Sequence, residues 1–554
     1  MSDAGERELD RLTADFWEWR RERAPRTRDD IPRLARPAGW RPAWSPADVA
    51  RRRAELGALE RRCAALDVGR ERREPYTDLR LLASACARAR FELDVVASWR
   101  HDPAFYLDQT VGTVFDALLR PPPFPAARCA EIAGLLDAIP DTLAAARANL
   151  AGGTALELSA SALRVSGGAA ADLVEAVAQL RPHLDPSSTA RVVAAADVAA
   201  RALDGFHELV VAAHGRAEPL GAVGRAALCR YLHEVALLPY TPEELLAAGR
   251  QEWDRAVAAE LLEQRRRPDA AWPALPAGAD EQCERERVAE LEVRAFYESR
   301  GLLSQPESLR HYRNAPRPEY LAPLRWLGVT DDLTGPDRLD EDGLSYVPPP
   351  EPGLSYFYRA NAADPRAGIV HEGAHYQQLA LAWRHERPAR RHFYDSCPNE
   401  GIAFYNEEML AQAGLFDDAP VTRRIIYNFM RLRALRVEVD VRLALGDWSI
   451  PHAAAALEDR VPMDRETAVE EAAFFAATPA QGLSYTTGKL QLLRLLADVR
   501  GAQRDEFDLR SFHDTVWRNG NVPFSLLRLE LLGDAAEIDR VDELAAGERA
   551  AAAL

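Results

Sequence analysis

Blocks of lysine or arginine, paired cysteines and long apolar runs are all missing from this 554-residue sequence. With no basic block and a formal net charge of −17, it lacks the cationic footprint that nucleic acid or an anionic membrane surface demands. No window of about 18 or more apolar residues occurs, so no transmembrane helix is expected. The opening "MSDAGERELDRL" has neither an apolar stretch nor a small-residue cleavage site, which reads as no signal peptide. Cys63, Cys86, Cys129, Cys229, Cys283 and Cys397 are scattered with no C-x-x-C pair. They are expected to be reduced core residues rather than a disulfide framework. The expected location is the cytoplasm of a bacterium, and the Ala- and Arg-rich, Lys-poor usage hints at a high-GC genome.

What is present is an ordinary globular composition, 47% hydrophobic and 28% charged, enough for a sizeable core. Helical patterning dominates. "SPADVARRRAELGALERRCAAL" opens with Ser45 as N-cap and Pro46 in the first turn, and Thr241, Pro242 and Glu244 form a capping box. The run "LSYFYRA" (354–360) is the exception, an aromatic stretch bounded by Pro352, Gly353 and Asn361 that reads as a short strand. "EDGLSYVPPPEPG" (341–353) reads as a loop, since four prolines cannot continue a helix. It divides an N-terminal helical lobe (1–340) from a C-terminal lobe (341–554), the two forming one continuous unit. The fold class expected is mainly α: a large multi-helical, two-lobed body with a central cleft and a small β element beside one helix.

That helix holds "HEGAH", with His371, Glu372 and His375 in the pattern H-E-x-x-H. Asp364 can cap it and Pro365 suits its first turn. Histidines four apart project from one helical face, so both imidazoles can reach one zinc at about 2.0–2.1 Å. Glu372, about 100° around the helix, suits a general base acting on water activated by the metal. The full H-E-x-x-H pattern also arises by chance, on the order of once per fifty chains of this composition. His233–Glu234 is such a decoy, with Leu237 where the second histidine should stand.

A third ligand should come from another element. In "SCPNEGIAFYNEEMLAQAG" (396–414), Ser396 or Cys397 can cap, Pro398 opens a helix and Gly414 ends it. Glu400 in its first turn is the candidate, against the plainer reading that it offsets the helix dipole. Glu407, two turns on, lies on the same side and can orient a histidine through its second nitrogen.

These two segments resemble the Glu-zincin peptidases, in which a downstream Glu completes the site. "EGIAFYNE", "RALRVEVD", "TPAQGLSYTTGKL" and "FDLRSFHDTVWRNGNVPFSLL" follow in the order of a bacterial family, domain-of-unknown-function family 885. "WRHDPAFYLDQTVGTVF" and "YTPEELLAAGRQEW" extend the resemblance over nearly the whole chain. Members are taken to be all-helical zinc peptidases. The resemblance implies one zinc per chain on His371, His375 and Glu400, with Glu372 as base. It places the substrate against an edge near Tyr356–Tyr358, with Tyr485 and Lys489 across the cleft to stabilise an oxyanion. A packed aromatic and a surface lysine are the plainer readings of those two. His513 is a candidate donor or a structural histidine, and Arg436 and Asp440 form an expected intrahelical pair.

Three departures bear on substrate. The family commonly inserts Pro-Gly before the second motif histidine, places a histidine where this chain has Ala444, and has Arg-Tyr where Phe474–Phe475 stand. The function expected is a metal-dependent hydrolase of a peptide or other small amide. A metabolic enzyme acting on a non-peptide molecule on the same scaffold is the alternative, and a catalytically silent binding protein a second. No nucleic-acid or membrane partner is expected, and oligomeric state is not legible.

Overall fold

The computed structural model describes residues 3–27, 34–350, 353–354, 356–461 and 463–552. Helices take up 72% of it and strands 3%, so the mainly α expectation holds. At several helix starts a side chain satisfies free N–H groups of the first turn. Ser45 and Asp48 cap Pro46–Ala64 reciprocally, and Thr241 and Glu244 do the same for Pro242–Arg266.

Three long helices, Ala126–Asn149, Leu156–Leu180 and Thr189–His214, build one core around Leu136, Leu173 and Val192. A second core joins the two ends of the chain. Leu9, Leu12 and Phe16 of the first helix, Asp3–Arg23, pack in one cluster with Ile402, Trp517 and Val541. A shared core therefore crosses residue 340.

Three strands form the β element: β1 (Tyr312–Pro316), β2 (Asp331–Asp332) and β3 (Gly343–Val347). β3 is central, parallel to β1 with Gly343 opposite Tyr312, and antiparallel to β2. The sheet lies on the motif helix, Arg366–Ala382, where Tyr312 stacks on Tyr376 at 5.9 Å between ring centroids. A Cβ on Gly343 would stand 2.6 Å from the Tyr376 ring, so only glycine lets strand and helix approach this closely.

The β element therefore sits beside the motif helix as expected, but is built from other residues. The predicted strand at 354–360 is instead the start of a helix, Tyr356–Ala363, and Ser355 falls outside the described residues. Tyr356 and Phe357 both pack on Phe429, at 5.5 and 5.4 Å, and this tertiary contact overrides the β preference of an aromatic run. The predicted loop at 341–353 gives up residues 343–347 to β3.

Two further helices close on the motif helix: Ser396–Ala413, which carries Glu400, and Gln481–Gln503, which carries Tyr485. They cross with Gly401 against Gly488. A Cβ on Gly488 would lie 1.9 Å from the Cys397 carbonyl oxygen, and one on Gly401 2.5 Å from the Gly488 backbone. Among the described residues, no helix is long and apolar enough to cross a membrane. All six cysteines are free, and all but Cys283 are buried.

Candidate metal centre

The motif helix is buried on nearly every side, unlike an amphipathic surface helix. Asp364 accepts the Arg366 N–H at 3.1 Å at its start, and His371 and His375 project from one face a turn apart. The Glu400 helix begins one residue earlier than the caps proposed from sequence: Asp395 accepts the Cys397 N–H at 2.9 Å, and Gly414 ends the helix in the left-handed region. This helix brings Glu400 back to the histidines.

Three donor atoms then form a nearly equilateral triangle. His371 Nε2 and His375 Nε2 are 3.3 Å apart, and Glu400 Oε2 is 3.3 and 3.4 Å from them. Donors about 2.0–2.1 Å from a tetrahedral cation lie about 3.3–3.4 Å from one another, so these spacings fit one such ion. Glu400 Oε2 is buried and has no hydrogen-bond partner, which is what an atom aimed at a shared centre would show. Among the described residues this is the one His/Cys/Asp/Glu group with ligand atoms close enough to hold a metal.

A buried shell supports the triangle. Glu407 Oε1 lies 2.6 Å from His371 Nδ1 and 2.7 Å from the Arg433 guanidinium, fixing which imidazole nitrogen faces the centre. Burial and Arg433 oppose charge on His371, but Glu400 and Glu407 outweigh them and push its imidazole up to about 9. Burial would raise Glu400, yet His375 and His371 hold its carboxyl well below the usual carboxylate range. Glu372 is half-buried, and its charge adds to burial and to Asp331 in driving the Tyr312 phenol well above its ordinary value. It therefore stands on the side of the helix that faces the sheet.

Tyr485 comes to the site. Its ring lies parallel to that of His371 at 6.2 Å, with the Arg436 guanidinium 4.9 Å from its centroid. Lys489 does not. It is the only lysine in the chain, fully buried, with its ammonium 2.6 Å from Glu252 and 2.9 Å from Glu408. Two carboxylates hold it in the core, so it reaches no cleft. His513 is structural as well: Nε2 is 2.8 Å from the Tyr405 hydroxyl and Nδ1 is 2.7 Å from the Leu302 carbonyl.

The expected Arg436–Asp440 pair does not form either. Arg436 pairs with Glu471, while Asp440 accepts the N–H groups of Ala480 and Leu483 at 3.0 and 2.9 Å and so holds the start of the Tyr485 helix. Burial pushes the Asp440 carboxyl up to about 7. Arg433 is the site residue that sequence reasoning missed. Its signal was a charge recurring with Arg436 and Asp440 on one face of an apolar helix, Pro420–Leu445.

Residues 335–531 match the model of a family described as "Bacterial protein of unknown function (DUF885)". The match takes in the motif helix, Glu400 and Tyr485. Two solved structures are similar over nearly the full length. One is described as a "putative lipoprotein of unknown function" from Shewanella oneidensis, with a TM-score of 0.70 and 17% identity, covering 95% of this chain and 99% of that one. The other is a "putative lipoprotein" from Colwellia psychrerythraea, with a TM-score of 0.74 and 16% identity, covering 97% and 99%. At these identities the likeness is one of fold. No curated protein matches the chain.

Proposed function

We propose that this protein is a metal-dependent hydrolase of amide bonds, in peptides or smaller amides, with zinc as its metal. The observation that carries the reading is the triangle of His371, His375 and Glu400 donors, with Glu372 next to His371 in the chain. A divalent cation there supplies Lewis acidity and lowers the pKa of water to about 7. The residues do the rest. Glu372 takes a proton from the attacking water and passes it to the leaving amine. Tyr485, whose ring stacks on that of His371, helps hold the developing oxyanion. Glu407 and Arg433 keep the His371 ring in register. A purely structural site would have no need of Glu372, which weighs against a silent binding protein.

Metal content of untagged protein, purified without added metal, tests this directly. About one zinc per chain is expected, largely lost in Glu400→Ala. Glu372→Gln should keep the metal and lose amide cleavage by about a hundredfold or more. Full activity in that variant with metal bound would remove Glu372 from the mechanism.

A further inference from the structure

All three π turns among the described residues, Glu92–Val96, Asp108–Gly112 and Tyr231–Val235, give side chains to the wall of one cavity of about 500 Å³. A π turn fits an extra residue into a helix, accounts for about 1% or less of an ordinary globular chain, and is frequent at functional sites. Backbone strain gathers beside the same wall. Ala97 directly follows the first π turn at φ 46°, and Leu237 stands two residues past the third at φ 52°. Ala480, at φ 73°, sits between Pro479 and Gln481 of the wall. Non-glycine residues held in the left-handed region cost energy and collect at ligand sites. Among the described residues that line the cavity, none belongs to the candidate metal centre, so this is a site of its own.

The charges on the wall are answered within the protein. Arg20 pairs with Glu92 at 2.7 Å, Arg23 with Glu55 at 3.0 Å and Arg26 with Asp108 at 3.1 Å, and Arg88 pairs with Asp395. Asp102 accepts the Ala104 N–H at 2.8 Å as a helix cap. Arg52 lies 3.7 Å from the Trp44 ring centroid and donates to the Arg23 and Ala43 carbonyls. The other two ionic groups on the wall, Arg164 and Glu470, are of opposite sign. A charged guest would leave its water for no matching charge, which is costly.

Aromatic surface is what stays open. Trp19, Trp99, Trp326 and Phe474 line the cavity and are only half-buried. Their three indole N–H groups are spent inside the protein: Trp19 on Glu55 at 2.9 Å, Trp99 on the Leu93 carbonyl at 2.9 Å and Trp326 on Asp172 at 3.0 Å. These residues therefore offer a guest ring surface rather than donors, and ring surface pairs well with another ring. The volume is that of a small-molecule site.

We propose that this cavity binds an uncharged aromatic small molecule, packed against Trp19, Trp99, Trp326 and Phe474. The proposal stands apart from the hydrolase reading and needs no metal.

Calorimetry on the full chain tests it, with 2-naphthalenemethanol, its ring-saturated analogue and 2-naphthoate as probes. The aromatic alcohol should bind at one site per chain, about tenfold tighter than either of the others. Phe474→Leu keeps the bulk without the ring and should weaken binding about fivefold. Ala473→Trp fills the cavity from the next wall position and should abolish binding; if that variant does not fold, Phe474→Leu carries the test. Treatment with a chelator should leave the affinity unchanged. Equal affinity for the saturated alcohol, tighter binding of 2-naphthoate, binding of no probe, full affinity in Phe474→Leu, or loss of binding on chelation would each overturn the proposal.

Discussion

The three-helix core between residues 126 and 214 and the core around the candidate metal site are both closely packed, yet they bury opposite kinds of side chain. In the first, the buried polar groups are uncharged hydroxyls, such as Ser159 on the Ala155 carbonyl and Ser166 against His207 of another helix. In the second, Glu400, Glu407, Glu408, Arg433, Arg436, Asp440 and Lys489 are all less than a tenth exposed. Charges buried at that density are weak evidence of stability, because desolvation cancels much of their attraction. They make geometry instead. The first core is a support whose residues are interchangeable within their volume, and the second is a set of positions that only particular groups can fill.

The sharpest way to break that contrast is Lys489→Met. It leaves Glu408 and Glu252 with Arg255 alone, and should cost about 3 kcal/mol or more in urea unfolding. A loss below about 1 kcal/mol would mean Arg255 suffices and the core is less exacting than described. Next is pH. Asp440 holds its proton in the folded state up to about 7, while an unfolded aspartate releases it near 3.8. The native state therefore binds more protons across that window, and stability falls as pH rises through it, by up to about 4 kcal/mol. Asp440→Asn should flatten this slope in melting curves taken from pH 4 to 8. The smallest effect belongs to the supporting core. Ser166→Ala should cost about 1 kcal/mol at most and leave metal content and activity untouched.

Sequence made the three candidate ligands legible because each depends on short-range spacing: two histidines four apart, and a glutamate in the first turn of a capped helix. Glu407 was readable for the same reason, two turns along that helix. The failures share one cause. Lys489 is answered by Glu252, far back in the chain, and Arg436 by Glu471 on a different helix. Periodicity gives the face a residue occupies, but not what covers that face. The residues at 356–358 failed likewise, since an aromatic run is equally at home in a strand or against another ring. Phe429 decided the matter.

The single lysine has a practical consequence. Amine-directed chemistry such as reductive methylation, acylation or ester cross-linking finds no lysine on the folded surface, because the one ε-amine is shielded by two carboxylates. Any labelling of Lys489 must follow an opening of the helices around the candidate metal site. The rate at which it takes up a label becomes a clock for that opening, read at one atom without engineering the protein.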